Sequence, residues 1–117
     1  MLIVDDQATI RKLTGMFLQN RGYNTVFADS AEQAIEKLSS ERPDIVVTDL
    51  YMPNTDGITL TKNIRSCEET RSIAVLMVTS ETNRTVLQKA SAVGVTAIMA
   101  KPFTGEQLAA KIDVILN

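Results

Sequence analysis

The sequence predicts an α/β domain in which helices cover both faces of a parallel β-sheet. Strand-like and helix-like segments alternate five times along the 117 residues, an order typical of parallel sheets. The apolar runs at 2–4, 45–48 and 73–78 have the β-branched character of strands that are buried on both faces. No Pro/Gly/Ser-rich linker and no repeat divides the chain, so we expect a single domain over residues 1–117.

The polarity of the predicted strands suggests their order in the sheet. The three apolar runs are expected at the centre, whereas residues 23–28 alternate with polar side chains and are expected at an edge. This pattern suits the doubly wound, flavodoxin-like order 2-1-3-4-5, in which ligands bind beyond the carboxyl ends of the first and third strands. The predicted strands cover residues 2–4, 23–28, 44–49, 73–78 and 96–100.

The five predicted helices follow from apolar periodicity and from capping residues. Ser30 with Gln33, and Thr104 with Gln107, have the spacing of capping boxes. The third helix, from about 57 to 65, has the most mixed pattern. The side chains expected to face the core are Ile10, Leu13, Thr14, Phe17 and Leu18 in the first helix, Ala31, Ala34, Ile35 and Leu38 in the second, Val86, Leu87, Ala90 and Val93 in the fourth, and Leu108, Ala109, Ile112, Ile115 and Leu116 in the fifth.

Composition narrows the function classes. The net charge is −2, from 12 basic and 14 acidic residues without long runs of either sign, which disfavours a nucleic-acid or membrane-surface protein. No stretch is long and apolar enough to span a bilayer, and no signal peptide is visible.

The single cysteine, Cys67, fits a reducing, cytoplasmic setting, and we interpret it as incidental. The absence of histidine excludes Ser-His-Asp and Cys-His catalysis and disfavours most zinc sites.

Polar residues follow four of the predicted strands. Asp5 and Asp6 follow the first, Asp49 ends the third, Thr79 follows the fourth and Lys101 follows the fifth. Each alone would usually be a turn former, a helix cap or a solvated lysine. Together they meet at one edge, where two carboxylates about 4 Å apart repel by about 4 kcal/mol at an effective dielectric constant of about 20. Such a cluster takes up protons or requires a cation. An oxygen-only site favours Mg²⁺.

Asp49 is the residue around which the rest of the site is expected to be arranged. It ends a buried strand, and Pro53 and the pair Asp56-Gly57 predict a loop before the next helix. A carboxylate is already a nucleophile, so Asp49 needs no general base to accept a phosphoryl group. Lys101 would pair with Asp49 and with phosphoryl oxygens.

Two further features concern the groups around that nucleophile. Thr79 would donate its hydroxyl to a phosphoryl oxygen and, with the metal and Lys101, would neutralise charge that develops during in-line transfer. The Lys101–Pro102 bond is a candidate for a cis peptide bond, because it lies in a tight turn after a strand.

The motifs Asp5-Asp6, 49–57, Thr79-Ser80 and Lys101-Pro102-Phe103 make the whole chain resemble a bacterial response-regulator receiver domain of two-component signalling. The resemblance implies that Asp49 is the phosphoacceptor, and that the donor is a phosphohistidine on a sensor histidine kinase or a histidine phosphotransfer protein. It implies Mg²⁺ bound by Asp6 directly, by Asp5 largely through water, by Asp49, and by the backbone carbonyl of Tyr51. Thr79 and Lys101 would be the switch and phosphate-pairing residues, and no turnover of an external substrate is implied.

The sequence departs from the family pattern at three positions. Ile98 stands where such domains often carry an aromatic switch residue, so aromatic coupling to the output face is in doubt, and Ile98 also fits plain core packing. In the family, the positions of Tyr51 and Glu81 flank the path by which water reaches the phosphoryl group. These residues should therefore set the lifetime of the phosphoryl group, and the sequence leaves open whether they lengthen or shorten it. The implied signalling face comprises the fourth helix, the fifth strand and the fifth helix, with Lys89 and Lys111 near it.

Alternatives remain open at this point. A pseudo-receiver would scaffold a partner without being phosphorylated, but such domains usually lose one or more of the site residues. A flavoprotein would want a Gly-rich loop after the first strand, and an aspartate-nucleophile phosphatase would want a second acid where Tyr51 stands. The output is either a downstream protein target of a stand-alone regulator of the chemotaxis type or a missing output domain of a longer protein.

Overall fold

The computed structural model describes residues 1–52 and 54–117, and within them five strands alternate with five helices, which confirms the predicted α/β class. Pro53, predicted to shape the loop after the third strand, lies outside the described residues. The elements are β1 (Leu2–Val4), α1 (Ala8–Asn20), β2 (Val26–Ala28), α2 (Ala31–Glu41), β3 (Ile45–Asp49), α3 (Gly57–Ser66), β4 (Ala74–Thr79), α4 (Arg84–Ala92), β5 (Ala97–Ala100) and α5 (Gly105–Leu116).

The sheet is parallel throughout, with the predicted order β2-β1-β3-β4-β5. Strand β2 is shorter than expected because the N–H of Tyr23 bonds back to the carbonyl of Leu18 at 3.1 Å and closes the end of α1 instead of pairing in the sheet. Strand β5 lies at the opposite edge, so only three of the four strands that end in site residues are internal to the sheet.

The core lies on both faces of the sheet, because alternate side chains of each strand point to opposite faces. One cluster joins Leu2, Val46 and Val75 to α2 and α3, and the other joins residues such as Ile3 and Leu76 to α1 and α5. The helices therefore cover the sheet in two layers, as doubly wound folds require. No helix in the described part of the chain combines the length and the apolarity needed to cross a membrane.

The apolar faces of three helices are narrower than the sequence predicts. Ile10 and Leu13 are 36% and 60% exposed, because the first half of α1 borders a groove of about 660 Å³ beside the start of α5 rather than the core. The prediction that they face the core was wrong, and so was the same prediction for Ile35 and Leu87, which are exposed on α2 and α4. Leu18 is fully buried as expected.

Helix caps largely follow the prediction. Thr104 and Gln107 form the predicted capping box at the start of α5. Ser30 accepts from the N–H of Gln33 at 3.1 Å, but the Gln33 side chain accepts from the N–H of Asp29 at 2.6 Å, so the second bond of that box is displaced by one residue.

The mixed pattern of α3 has a structural explanation. Thr61 is fully buried, and its hydroxyl donates to the carbonyl of Gly57 at 2.8 Å. A threonine that bonds within its own helix can replace an apolar residue in the core. Helix α3 therefore forms despite its polar positions, and it runs to Ser66, one residue beyond the predicted end.

Candidate functional site

The polar side chains predicted to converge do lie at the carboxyl ends of the strands. The register places Asp49 opposite Val78 and Thr79 opposite Ala100, so β3, β4 and β5 end at the same level. The Lys101 ammonium, directly after β5, lies 2.8 Å from Oδ2 of Asp49. Residues far apart in the sequence therefore form one crevice.

Three carboxylates gather beside this ion pair. One oxygen each from Asp5, Asp6 and Asp49 lies within 4.8 Å of the others. Asp5 is only 4% exposed and Asp6 is exposed, so the cluster has a buried floor and an open side. An oxygen-only set with room for water on one side fits Mg²⁺, which binds few carboxylates and keeps several waters.

The surroundings of Asp5 disfavour its charged form. Burial raises the pKa of the Asp5 carboxyl above its ordinary value, and the charges on Asp49 and Asp6 raise it further. The N–H of Gln7, which donates to Oδ1 of Asp5 at 2.9 Å, and the ammonium of Lys101 oppose this shift. Burial is the largest of these effects, and the amide and the lysine do not offset it. A divalent cation would favour the charged carboxylate.

Lys101 is held at the mouth of the crevice by its backbone. Its N–H donates to the carbonyl of Thr79 at 2.9 Å, and the Lys101–Pro102 bond is cis, the isomer that the turn suggested. The lysine side chain is 30% exposed and that of Asp49 is 13% exposed. The ammonium can therefore contact both Asp49 and a group that enters from solvent.

Thr79 ends β4 with a buried hydroxyl. The residue is 1% exposed, and its Oγ1 accepts from the N–H of Glu81 at 3.0 Å. A hydroxyl that accepts one bond still has its own hydrogen to donate, so Thr79 can serve a phosphoryl oxygen in the crevice.

Tyr51 and Glu81 make a contact that the sequence did not reveal. Tyr51 lies in the loop two residues after Asp49, and its hydroxyl donates to Oε2 of Glu81 at 2.8 Å. Glu81 raises the pKa of the Tyr51 phenol, chiefly through this bond. The bond connects the loops that follow β3 and β4. The sequence named both positions, but no pattern linked their side chains.

Gly57 has a role that the sequence analysis missed. Its N–H donates to the carbonyl of Leu50 at 2.7 Å, and a Cβ at this position would lie 2.5 Å from the backbone oxygen of Asp49. The start of α3 is therefore packed against the end of β3. The Asp56-Gly57 pair predicted a turn, but a close backbone approach also requires glycine.

Ile98 packs in a small apolar cluster with Leu50, Met77 and Ala90. This is the plain packing role that the sequence allowed. Of the two lysines near the predicted signalling face, Lys89 is exposed and Lys111 is half-buried.

Comparisons with known proteins agree with this geometry. The model of the response regulator receiver domain matches residues 1–113. Chemotaxis protein CheY-3 of Vibrio cholerae is 41% identical over all of this chain and 91% of its own length, and chemotaxis protein CheY of Pseudomonas aeruginosa is 39% identical over all of this chain and 95% of its own. The structure of Vibrio cholerae CheY4 superposes with a TM-score of 0.94 at 32% identity, over 97% of this chain and 95% of that one.

Proposed function

Because the chain belongs to the response regulator receiver family, we propose that Asp49 accepts a phosphoryl group from a phosphohistidine of a sensor histidine kinase or a histidine phosphotransfer protein. Family membership makes the chain a phosphorylation-dependent signalling domain and not a metabolic enzyme. The observation that carries the assignment to Asp49 is its 2.8 Å ion pair with Lys101 inside a cluster of three carboxylates. The free cysteine Cys67 supports a cytoplasmic setting.

The reaction is an in-line displacement. A carboxylate oxygen of Asp49 attacks phosphorus, the P–N bond of the phosphohistidine breaks, and the imidazole of the donor keeps the electron pair and takes a proton from solvent. Asp5, Asp6, Asp49 and the backbone carbonyl of Tyr51 would hold Mg²⁺, which supplies positive charge for the phosphoryl oxygens. The 13% exposure of the Asp49 side chain leaves the carboxylate open to a donor from solvent.

Lys101 and Thr79 act on the oxygens of the transferred group. The ammonium already lies beside Asp49 and can follow the negative charge from the carboxylate to the phosphoryl group. The hydroxyl of Thr79, at the end of β4, donates to a second oxygen. Neither residue needs to change its protonation state during the transfer.

We propose that the signal leaves through α4, β5 and α5. Thr79 ends β4 directly before the loop to α4, and Lys101 follows β5, so movement at either residue passes into this face. Helix α4 has one buried residue, Ala90, and elements with few buried contacts shift at low cost. A downstream protein target or an output domain would bind the shifted face.

Intact mass measurement tests the proposal. The protein is incubated with a small acyl phosphate and Mg²⁺, and in parallel with a chelator. We expect a gain of one phosphoryl group with Mg²⁺ and none with the chelator. No gain under either condition would contradict phosphorylation and favour the unphosphorylated scaffold.

A further inference from the structure

The bond between Tyr51 and Glu81 stands between the two loops that border the acidic crevice. It joins the loop after β3 to the loop after β4, at 2.8 Å. Tyr51 is 52% exposed and Glu81 is exposed. A bond between two long, exposed side chains is easily broken. It is therefore suited to respond to a change in either loop.

Glu81 is also bonded to the buried part of the site. Its N–H donates to Oγ1 of Thr79 at 3.0 Å, and Thr79 is 1% exposed. Two consecutive hydrogen bonds thus connect the crevice to the surface. In the first the N–H of Glu81 donates to Thr79, and in the second the hydroxyl of Tyr51 donates to the side chain of Glu81. Any movement of the Thr79 hydroxyl alters the first bond.

We propose that Tyr51 is the surface end of a hydrogen-bonded relay, and that the Tyr51–Glu81 bond opens when the Thr79 hydroxyl turns toward a phosphoryl group on Asp49. This inference rests on the proposed function. The turn removes the acceptor that holds the backbone of Glu81, the loop after β4 shifts, and the Glu81 carboxylate leaves the phenol. Ile98 is an aliphatic side chain packed on Leu50, Met77 and Ala90. It has no polar group, so it cannot form a hydrogen bond to the Thr79 hydroxyl when that hydroxyl moves.

The coupling is reciprocal, because two events that exclude each other must weaken each other equally. If phosphorylation opens the Tyr51–Glu81 bond, the intact bond opposes phosphorylation. Tyr51→Phe removes the hydroxyl and keeps the ring and the backbone carbonyl. We therefore expect Tyr51→Phe to bind beryllofluoride, a phosphoryl mimic, about threefold more tightly than the wild type in Mg²⁺. An effect of this size matches the small free energy that one exposed hydrogen bond to a charged group contributes.

The composition of the chain offers a direct readout of the bond. It has no tryptophan and two tyrosines, and the other one, Tyr23, donates to Asp113 on α5. In a Tyr23→Phe background Tyr51 is the sole source of tyrosine fluorescence. A phenol bonded to a carboxylate fluoresces more weakly than a free one, so release from Glu81 should raise the emission.

The experiment records this emission with Mg²⁺ alone and then with Mg²⁺ and beryllofluoride, while ¹⁹F NMR follows formation of the adduct. We expect emission to rise with the adduct in Tyr23→Phe, and to start high and stay unchanged in Tyr23→Phe/Glu81→Ala. An adduct without any rise in emission would overturn the relay and leave the proposed function standing. If no adduct forms, the relay and the proposed function both fail.

The affinity measurement uses Tyr23→Phe as its matched control, which should bind beryllofluoride like the wild type. Equal affinity of Tyr51→Phe and the wild type for beryllofluoride would also overturn the relay.

Discussion

At the residue scale, the proposed reactivity of Asp49 depends on the charges around its carboxylate. Its carboxylate lies in a cluster with two other acids, and Lys101 is the cation 2.8 Å away. Without the ammonium, a phosphoryl group would bring further negative charge to a site that already repels it. We therefore propose that Lys101 serves phosphoryl transfer more than stability.

Replacing Lys101 tests this role. In Lys101→Met we expect phosphorylation by a small acyl phosphate to slow by about a hundredfold, because a donor aimed at developing charge in a crevice is lost. The rate is read from the increase of phosphorylated protein by mass spectrometry. Lys111→Met, which changes a half-buried lysine on α5, is the matched control and should react at the wild-type rate. An equal rate in Lys101→Met would contradict the assigned role.

Asp5 offers a second prediction at this scale, because its charge is costly without metal. Asp5→Asn keeps an oxygen for the N–H of Gln7 and removes both the cost of burying a charge and the repulsion from Asp49. We expect the metal-free variant to be more stable than the wild type by about 1 kcal/mol in urea unfolding. Mg²⁺ should then raise the midpoint of the wild type and leave that of the variant nearly unchanged.

The control for this change is Asp29→Asn, an exposed aspartate after β2, which should alter neither the metal-free stability nor the effect of Mg²⁺. A less stable metal-free Asp5→Asn protein would show that the charge on this buried carboxyl is not costly.

The residues of the site were open to sequence prediction, but one of their contacts was not. Strand ends of a parallel sheet meet at one edge, so the positions of Asp49, Thr79 and Lys101 follow from the order of the elements. The Tyr51–Glu81 bond depends on the rotamers of two long, exposed side chains. No periodicity or motif in the chain encodes those rotamers.

At the element scale, the start of α3 is packed tightly against the end of β3. Gly57→Ala should destabilise the protein by about 2 kcal/mol, although alanine is the better helix former, because its Cβ would lie 2.5 Å from the Asp49 oxygen and force the backbone to move. Urea unfolding measures this. Because the shift displaces Asp49, phosphorylation should slow as well.

Gly22→Ala is the contrasting variant. Gly22 has φ +89° and no atom within 4 Å of an added Cβ, so alanine there should cost about 1 kcal/mol from backbone strain alone and should leave phosphorylation unchanged. If Gly57→Ala were as stable as the wild type, the close approach of α3 to β3 would not constrain the site.

Helix α5 is bonded to the segment after α1 through Tyr23, whose hydroxyl donates to Asp113. This bond raises the pKa of the Tyr23 phenol above its ordinary value. The contribution to stability is therefore present below the pKa of an unfolded tyrosine and is lost as pH rises through the raised folded value. In a Tyr51→Phe background, Asp113→Asn should lower the phenol pKa, as measured by ultraviolet titration. An unchanged titration would show that the bond is absent in solution.

Helix α1 shows where periodicity misleads. Ile10 and Leu13 occur at the spacing of a core-facing stripe, yet they border the groove beside α5, whereas Leu18 reaches the core. Hydrophobic spacing indicates which face of a helix is apolar, but not whether another element covers that face along its whole length. The second half of α1 was predicted correctly, since it packs against the sheet.

At the scale of the whole molecule, the sheet is more deeply buried than the face proposed to carry the signal. The two layers of helices bury apolar side chains on both sides of β1, β3 and β4, and this two-sided burial made the strand order predictable. Helix α4 has one buried residue. This difference in burial fits the proposal that the site around Asp49 stays in place while the adjacent face shifts.

Intact mass measurement of matched variants identifies the carboxylate that accepts the phosphoryl group. Asp49→Asn and Asp56→Asn each remove one acid, the first from the crevice and the second from the cap of α3. After incubation with a small acyl phosphate and Mg²⁺, we predict that the wild type and Asp56→Asn gain one phosphoryl group and that Asp49→Asn gains none. A phosphoryl group on Asp49→Asn in the same yield as on the wild type would show that another residue is the acceptor.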